Sequence, residues 1–336
     1  MKRFLEIDLA KGLAIILAVV GHAFPDAVKG FWIAGGNSVA ASMESFIYSF
    51  HMPLFFMCSG FLFLPKLTNG GVSQTIATRF KRLMIPYLFL SFMYLGGKMV
   101  GGALADNALS DNPIVGIIFG NSPCFGAWFL WVLFIMSVIV LCLKKVNVGL
   151  LFAAFIAASY IPLHLDSNFK GISAILSATM WFLMGCVVRK HYDCISKYLN
   201  IYVCMMSFLV ILSIHLYGGM IDSSNGLITR TIAIIKTFTG ITASYTLCYI
   251  LASKFKESTV TKKLQMCGDY CMDIYIVSMF VLVPLRILYV NVGLMNYIPY
   301  WPWVIIASAL GIVLPILISK HIVRKVGILR VLLIGG

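Results

Sequence analysis

Long apolar runs, separated by short polar or charged breaks, extend over almost the whole chain. A helix needs about 20 mostly apolar residues to cross a bilayer, so each run is a candidate membrane-spanning helix. The runs predict ten spans, at residues 7–24, 42–64, 83–101, 125–143, 146–163, 172–188, 200–217, 229–251, 270–290 and 302–320. We therefore expect an all-α fold, a polytopic membrane helix bundle that forms a single domain over residues 1–336.

The composition agrees with this class. Of the 336 residues, 60% are hydrophobic and 11% are charged, which is more apolar surface than a soluble core of this size can bury. In a soluble protein the net charge of +14 would suggest nucleic acid, but here the basic residues flank apolar runs, and we expect no nucleic-acid partner. The nine cysteines form no CxxC pair, and we interpret them as small apolar residues, with no metal site.

The basic residues predict the orientation of the bundle. When the loops are assigned alternately to the two sides, 19 Lys and Arg fall on one side and only Lys29 and Lys170 on the other. Loops rich in Lys and Arg stay in the cytoplasm, so both termini are expected there. The start of the chain, with Lys2 and Arg3 before an apolar run, also fits a secretory signal. No small-x-small cleavage site clearly follows, and we interpret it as an uncleaved first span.

The first span carries two polar residues with a helical spacing. Lys11 and His22 are eleven positions apart, which places them on nearly the same face of a helix and about 16 Å apart along its axis. Such a face would line a path across the bilayer, with a cation near the cytoplasmic mouth and a base near the outer one. In the alternative, Lys11 reaches lipid headgroups and His22 lies at the interface.

The second span carries a further polar face. Glu44, Tyr48 and His51 follow at positions i, i+4 and i+7, while Pro53 interrupts the backbone hydrogen bonding of the run. A carboxylate bonded to one imidazole nitrogen makes the other nitrogen a better base, so a contact from Glu44 to His22 or His51 would create a catalytic pair. In the alternative, Glu44 is a helix-end charge in water.

Basic residues elsewhere indicate a second kind of site. Arg79, Lys81 and Arg82 precede the third span, where guanidinium groups would bind the phosphates of a nucleotide-bearing donor. The alternative is an ordinary cytoplasmic basic flank. Lys236 and Arg286 lie deeper, in the eighth and ninth spans, and would line a polar cavity or form ion pairs with Asp269, Asp273 or Glu44.

Three early motifs resemble acyltransferase family 3, the integral membrane O-acyltransferases that include bacterial polysaccharide O-acetyltransferases and fucose 4-O-acetylase-like proteins. EIDLAKGLAIILAVVGHAF resembles the opening pattern of the family, with Asp8, Lys11 and His22 as its Asp, basic residue and histidine. The basic residue is usually Arg, and here it is Lys. SFHMPLFFMCSGFLF is similar to the second span of the family, and RFKRLMIPY places Arg79 and Arg82 on its Arg-x-x-Arg.

A later motif is similar in part. GDYCMDIYIVS, at residues 268–278, resembles Gly-x-x-Ser-x-x-Ile-Tyr-x-x-His, with Cys271 and Ser278 at the positions where Ser and His are common. The substitution at Ser278 weakens any role for a histidine there. The specific motifs are confined to the first 90 residues, whereas the number and order of spans resemble the family over nearly the whole chain.

The resemblance implies a membrane O-acyltransferase that moves an acyl group, most simply acetyl, from cytoplasmic acyl-CoA to a sugar hydroxyl. The acceptor would be an extracytoplasmic glycan or its lipid-linked precursor. His22, Glu44 and His51 would form the catalytic site, with His22 as general base. Acetyl-CoA would bind at Lys11, Arg79 and Arg82.

The resemblance places the chain as a multi-pass protein of the inner (plasma) membrane, in contact with the lipid bilayer. An alternative function is a transporter or flippase of a glycan intermediate. In that case Lys98, Lys236 and Arg286 would form the substrate path.

Overall fold

The computed structural model describes residues 3–25, 38–101, 112–124, 126–161, 170–218 and 225–336. Over these ranges the chain forms sixteen α-helices and no strand. The first eight are α1 Leu5–Ala23, α2 Ser38–Tyr48, α3 His51–Asn69, α4 Val72–Arg79, α5 Ile85–Gly101, α6 Pro113–Ile118, α7 Trp128–Cys142 and α8 Val148–Ala158. The others are α9 Lys170–Lys190, α10 Tyr192–Ile195, α11 Ile201–Tyr217, α12 Gly226–Lys254, α13 Thr259–Asp269, α14 Cys271–Val290, α15 Tyr300–Ile318 and α16 Gly327–Ile334.

Short irregular helical turns join some of these helices. The segments Phe80–Met84, between α4 and α5, and Ser319–Val323, after α15, are π-helical. The segments Ser196–Tyr198 and Leu294–Asn296 are 3₁₀ turns. The expectation of an all-α fold is confirmed for the described ranges.

Each of the ten predicted runs contains a helix. Within the described ranges, four helical segments are long and apolar enough to cross a membrane: Ser38–Thr68, Gly226–Lys254, Cys271–Val290 and Tyr300–Val323. A fifth is added if Tyr192–Tyr198 and Ile201–Tyr217, which meet at 81°, form one broken span. Helices α7 and α8 are apolar but shorter. The chain thus has the helices of a membrane protein, while ten crossings and cytoplasmic termini stay predictions.

Helix α1 is surrounded by other helices, since it contacts α3, α12, α13, α14 and α15. Its approach to α13 depends on glycine. A Cβ on Gly12 would fall on the carbonyl oxygen of Leu264, and one on Gly268 would fall on the carbonyl oxygen of Asp8. Because small residues let helix backbones touch, these glycines bring the first half of α1 into backbone contact with α13.

Helices α3 and α9 pack in the same way. A Cβ on Gly60 would meet the carbonyl oxygen of Phe182, and one on Gly185 would meet that of Met57. The thiol of Cys186 donates to the Gly60 carbonyl at 3.2 Å. This backbone contact holds α9 against the helix that begins with His51.

The second predicted span lies within one candidate span, Ser38–Thr68, which has a break close to Pro53, the residue that the sequence marks as an interruption. Helix α2 ends at Tyr48 and α3 begins at His51, although together they form one candidate span. Pro53 has no N–H, so in a continuous helix the carbonyl of Ser49 would lack its partner. The Thr237 hydroxyl of α12 donates to that carbonyl at 2.8 Å. A side chain from a distant helix therefore stabilises the break.

Candidate functional site

A cavity with about 950 Å³ of empty space lies beside the first turns of α1. Four basic side chains line it, namely Lys11, Lys66, Arg79 and Arg82. No Asp or Glu is among its described lining residues. We call it the cationic cavity, and its charge suits an anionic ligand.

An acidic neighbour holds Lys11 at this cavity. The Lys11 ammonium lies 2.8 Å from one oxygen of Asp8, whose other oxygen accepts a hydrogen bond from Arg3 at 2.7 Å. The Lys11 side chain is 20% exposed and lines the cavity, so its place differs from that of a lysine extended to lipid headgroups. Within the opening motif, Asp8 therefore positions the ammonium group of Lys11.

The two arginines of the Arg-x-x-Arg motif differ in their surroundings. Arg79 is half-buried, with its guanidinium carbon 4.6 Å from the centre of the Phe63 ring, whereas Arg82 is exposed. Burial and the nearby charge of Arg82 lower the pKa of Arg79 to about 10. Arg79 thus keeps its charge at neutral pH, and a phosphate bound between the two guanidinium groups would relieve their mutual repulsion. Lys81 is exposed and is not among the described lining residues.

A second cavity, with about 900 Å³ of empty space, lies at the opposite end of α1. His22, Tyr48 and His51, from α1, α2 and α3, supply its titratable lining together with Tyr275 of α14. We call it the histidine chamber. Phe56, Trp128 and Trp181 add large aromatic walls. The structure thus brings together the two histidines that the sequence places on separate spans.

Tyr48 links the two histidines. Its hydroxyl lies 3.0 Å from His22 Nδ1, and its ring centre is 5.1 Å from that of His51. Gly21 leaves room for this ring, because a Cβ there would lie 2.5 Å from a Tyr48 ring carbon. Arg286 Nη2 donates to the His22 carbonyl at 2.9 Å, which anchors the end of α1 to α14.

The ring of His51 has a defined orientation. Its Nδ1 lies 2.9 Å from the carbonyl oxygen of Ile47. A carbonyl only accepts hydrogen bonds, so Nδ1 carries the hydrogen of the neutral ring and Nε2 is an acceptor. His51 is buried, with 5% of its surface exposed. The helix break places this acceptor at the chamber, because His51 is the first residue of α3.

Glu44 takes a different place from the two histidines. It lies one turn before Tyr48 on α2 and is half-buried, but it is not among the described lining residues of the histidine chamber. The structure shows Tyr48 as a partner of His22 Nδ1. The sequence indicates Tyr48 only as a residue on the helix face of Glu44 and His51. The catalytic role of Glu44 stays a prediction.

The cations expected deep in the eighth and ninth spans lie in separate places. Arg286 binds the His22 carbonyl, whereas Lys236 Nζ lies 3.0 Å from His215 Nδ1. Nε2 of the same His215 ring lies 2.9 Å from the Ser42 hydroxyl. Two carboxylates considered as partners contact other cations: Asp269 contacts Arg3, and Asp273 contacts Arg324.

Sequence reasoning missed Tyr275 and Lys66. Tyr275 lines both cavities, and the signal for it in the sequence is its place as the tyrosine of the late motif. Lys66 is one of the 19 basic residues that the alternation of loops assigns to the cytoplasmic side, and it lines the cationic cavity. Over the described residues, no group of three or more His, Cys, Asp or Glu side chains is arranged to hold a metal ion.

Two nodulation proteins are similar to part of this chain. The nodulation protein NolL of Mesorhizobium japonicum is 24% identical over 239 residues, which cover 67% of this chain and 60% of that protein. The nodulation protein NolL of Sinorhizobium fredii is 32% identical over 91 residues, covering 26% of this chain and 23% of that protein. The chain thus matches no more than about three fifths of the length of these relatives. No solved structure gives a significant match.

The comparison with family models covers more of the chain. The model described as "Acyltransferase domain" matches residues 4–320, which include both cavities and every residue of the predicted site. A match over nearly the whole length shows common descent of the full bundle rather than of one motif. The chain therefore belongs to acyltransferase family 3, as its first three motifs predict.

Proposed function

We propose that this protein is an inner-membrane O-acyltransferase, which moves an acetyl group from cytoplasmic acetyl-CoA to a hydroxyl of an extracytoplasmic sugar. One observation carries the proposal. Among the described residues of this acyltransferase, four cations line one cavity, two histidines line the other, and Tyr275 lines both. These are the two surfaces that acyl transfer from an anionic thioester requires.

The cationic cavity is proposed as the donor site. CoA carries several phosphates, and guanidinium groups bind phosphate through paired hydrogen bonds. Arg79 and Arg82 line this cavity and would bind those phosphates. Lys11, whose ammonium contacts Asp8, lines the same cavity. The pantetheine arm would then extend from Lys11 toward His22, along a helix face about 16 Å long.

The histidine chamber is proposed as the reaction site. When Nδ1–H of His22 donates to the Tyr48 oxygen, Nε2 carries the lone pair that takes the proton of an acceptor hydroxyl. The hydroxyl oxygen attacks the thioester carbonyl, the C–O bond forms, and the C–S bond breaks. The proton passes from His22 to the sulfur, and CoA leaves as the thiol. A variant of this route, in which His22 itself carries the acyl group, uses the same nitrogen.

His51 and the aromatic walls are proposed to hold the acceptor. The neutral His51 ring presents Nε2 as an acceptor, which suits a second hydroxyl of a sugar. Trp128 and Trp181 present large apolar faces in the same chamber. A glycan or lipid-linked sugar is the acceptor class in this proposal. Ten membrane crossings, with both termini in the cytoplasm, would place this chamber on the outer side.

Acetyl-group turnover tests the proposal. Purified protein in liposomes is given radiolabelled acetyl-CoA, and CoA release is followed with and without a panel of glycans. His22→Ala should lower turnover by about 10² to 10⁴-fold, which is the usual contribution of a general base. The double variant Arg79→Ala/Arg82→Ala should raise the KM for acetyl-CoA, while Lys144→Ala/Lys145→Ala removes two exposed charges elsewhere and should have no effect.

Two outcomes would contradict the proposal. The first is full turnover by His22→Ala at normal membrane levels. The second is folded protein that neither binds nor turns over acetyl-CoA with any acceptor, while it moves a glycan across the bilayer chemically unchanged. That second result would favour a transporter, which should also tolerate the loss of Arg79 and Arg82. Glu44→Gln, assayed in the same way, tests the predicted role of the carboxylate.

A further inference from the structure

We propose that the ring of Tyr275 is the partition between the cationic cavity and the histidine chamber, and that it determines which acyl groups reach His22. This inference rests on the proposed function and adds to it a residue that selects the acyl donor. Among the described lining residues, Tyr275 is the one that both cavities have in common. A group held by the cations therefore meets this side chain before it meets either histidine.

Tyr275 is held in place from two sides. Its hydroxyl donates a hydrogen bond to the carbonyl of Gly126, which lies just before α7. Its ring makes an edge contact with Phe129 of α7, with the ring centres 5.5 Å apart. A Cβ on Gly126 would lie 3.7 Å from the Tyr275 hydroxyl oxygen, so the chain passes close to it. Through its ring and its hydroxyl, Tyr275 connects α14 to the start of α7 between the two cavities.

The rest of the partition is aromatic. Phe129 contacts both Phe55 and Phe56, with ring-centre distances of 5.8 Å and 5.1 Å. Phe55 and Phe129 line the cationic cavity, whereas Phe56 lines the histidine chamber. Phe55 and Phe56 are adjacent on a buried helix and are each less than 10% exposed. An edge contact joins Tyr275 to this wall, and a hydrogen bond joins it to the Gly126 carbonyl. A side-chain rotation can break both.

This arrangement has two consequences for the reaction. A small acyl group such as acetyl passes when the Tyr275 ring turns, whereas a longer chain meets the ring and the phenylalanine wall. The ring in place also separates the thioester from the chamber until the transfer occurs, which limits loss of the acyl group to water. Removal of the Tyr275 ring should admit longer acyl groups and permit hydrolysis of the thioester. Removal of the Tyr275 hydroxyl alone should only weaken the attachment of the ring to Gly126.

A panel of acyl-CoA donors tests the selection. The ratio of kcat/KM for butyryl-CoA to that for acetyl-CoA should rise at least about tenfold in Tyr275→Ala, because a single methylene changes selection by about 10 to 200-fold in an apolar pocket. CoA release without any acceptor should also rise. Tyr275→Phe should keep the ratio of the parent. Tyr289→Phe is the matched control, since Tyr289 lies on the same helix and its hydroxyl also donates to a carbonyl.

A labelling experiment tests the partition without any turnover. Ser177 lines the histidine chamber and Cys271 lines the cationic cavity, so Ser177→Cys provides one thiol on each side of Tyr275. An impermeant maleimide is added to the cytoplasmic face of inside-out vesicles, and the labelled peptides are identified by mass spectrometry. Cys271 should react both when Tyr275 is present and when it is replaced by Ala. The introduced thiol should react at least about tenfold faster when Tyr275→Ala is also present.

The outcomes separate this inference from the proposed function. A parent protein with His22-dependent turnover, combined with an unchanged donor ratio and unchanged labelling in Tyr275→Ala, overturns the partition and leaves the acyltransferase intact. Absence of turnover in the parent counts against the proposed function, and the labelling result then decides the partition alone. Equal changes in the Tyr289→Phe control would also overturn the assignment to Tyr275.

Discussion

The hydroxyl of Tyr48 lies 3.0 Å from Nδ1 of His22, so the end of α2 sets the orientation of the imidazole at the end of α1. Tyr48→Phe keeps the ring packed beside His51 and removes only this hydrogen bond. A bond worth about 1.4 kcal/mol should lower kcat about tenfold. The KM for acetyl-CoA should not change, because the cationic cavity lies at the other end of α1.

The control for this prediction is Tyr202→Phe, a change at a tyrosine of α11 that is 76% exposed. It should leave kcat and KM at the values of the parent. An unchanged kcat in Tyr48→Phe, or a rise in KM with kcat preserved, would show that Tyr48 does not position His22.

A second prediction concerns the break before α3. Thr237→Val removes the hydroxyl that donates to the carbonyl of Ser49 and leaves that carbonyl without its partner in the break at Pro53. An unsatisfied buried acceptor costs about 1 to 3 kcal/mol, so thermal unfolding in detergent should occur at lower temperature. Thr239→Val is the matched control, because the Thr239 hydroxyl bonds only carbonyls of its own helix among the contacts that the structure shows.

The Thr237 hydroxyl also reaches the carbonyl of Ala233 in its own helix, and comparison with Thr239→Val subtracts that local effect. Thr237→Ser keeps the hydroxyl and should unfold close to the parent. Equal destabilisation in Thr237→Val and Thr239→Val would mean that the contact to Ser49 contributes nothing.

A third prediction concerns the contact of α3 with α9. Gly60→Ala and Gly185→Ala each place a Cβ on a backbone carbonyl of the facing helix, so the helices must separate. Loss of this packing should cost about 3 kcal/mol or more and lower the yield of folded protein.

Gly96→Ala, on α5, is the control for this prediction, because a Cβ at Gly96 meets nothing within 4 Å. The exchange at Gly96 should be neutral or stabilise by up to about 1 kcal/mol, since Ala favours helix over Gly. Similar unfolding of all three variants would contradict the prediction.

A fourth prediction concerns the carboxylate at the start of α14. Asp273 is 2% exposed and accepts hydrogen bonds from Ser319 and from two nitrogens of Arg324, at 3.0 and 2.8 Å for the latter. Arg324→Gln should destabilise by about 2 kcal/mol, less than for a fully buried pair because the arginine side chain is 39% exposed. Asp273→Asn in the same chain should recover part of the loss. Lys325→Gln is the exposed control.

The pH dependence of this pair has a definite sign. The hydrogen bond that Arg324 donates to Asp273 raises the pKa of Arg324, so the stabilising contribution of the guanidinium is present below the ordinary pKa of arginine and is lost only above it. The difference in unfolding free energy between the parent and Arg324→Gln should therefore be constant from about pH 6 to about pH 9. A steady decline of that difference with rising pH over this range would contradict the assignment.

Part of the site was predictable from local sequence. The spacing of Lys11 and His22 on one helix placed a cation and an imidazole at opposite ends of α1, and the structure has the two cavities there. The Arg-x-x-Arg motif indicated Arg79 and Arg82 beside Lys11. The break between Tyr48 and His51 was harder to locate, because Pro53 signals a missing hydrogen bond but its consequence depends on Thr237 of α12.

The sequence by itself determined an all-α, mostly apolar chain with the residues of an acyltransferase, because helical periodicity, apolar run length and motif spacing are local properties. Only the tertiary structure decided that Tyr48 contacts His22, that Lys66 joins the cationic cavity, and that Tyr275 stands between the cavities. Those relations depend on how far each helix rotates about its axis and how closely it packs. Glycine contacts such as Gly12 with α13 and Gly60 with α9 set that packing, and they join residues far apart in the chain.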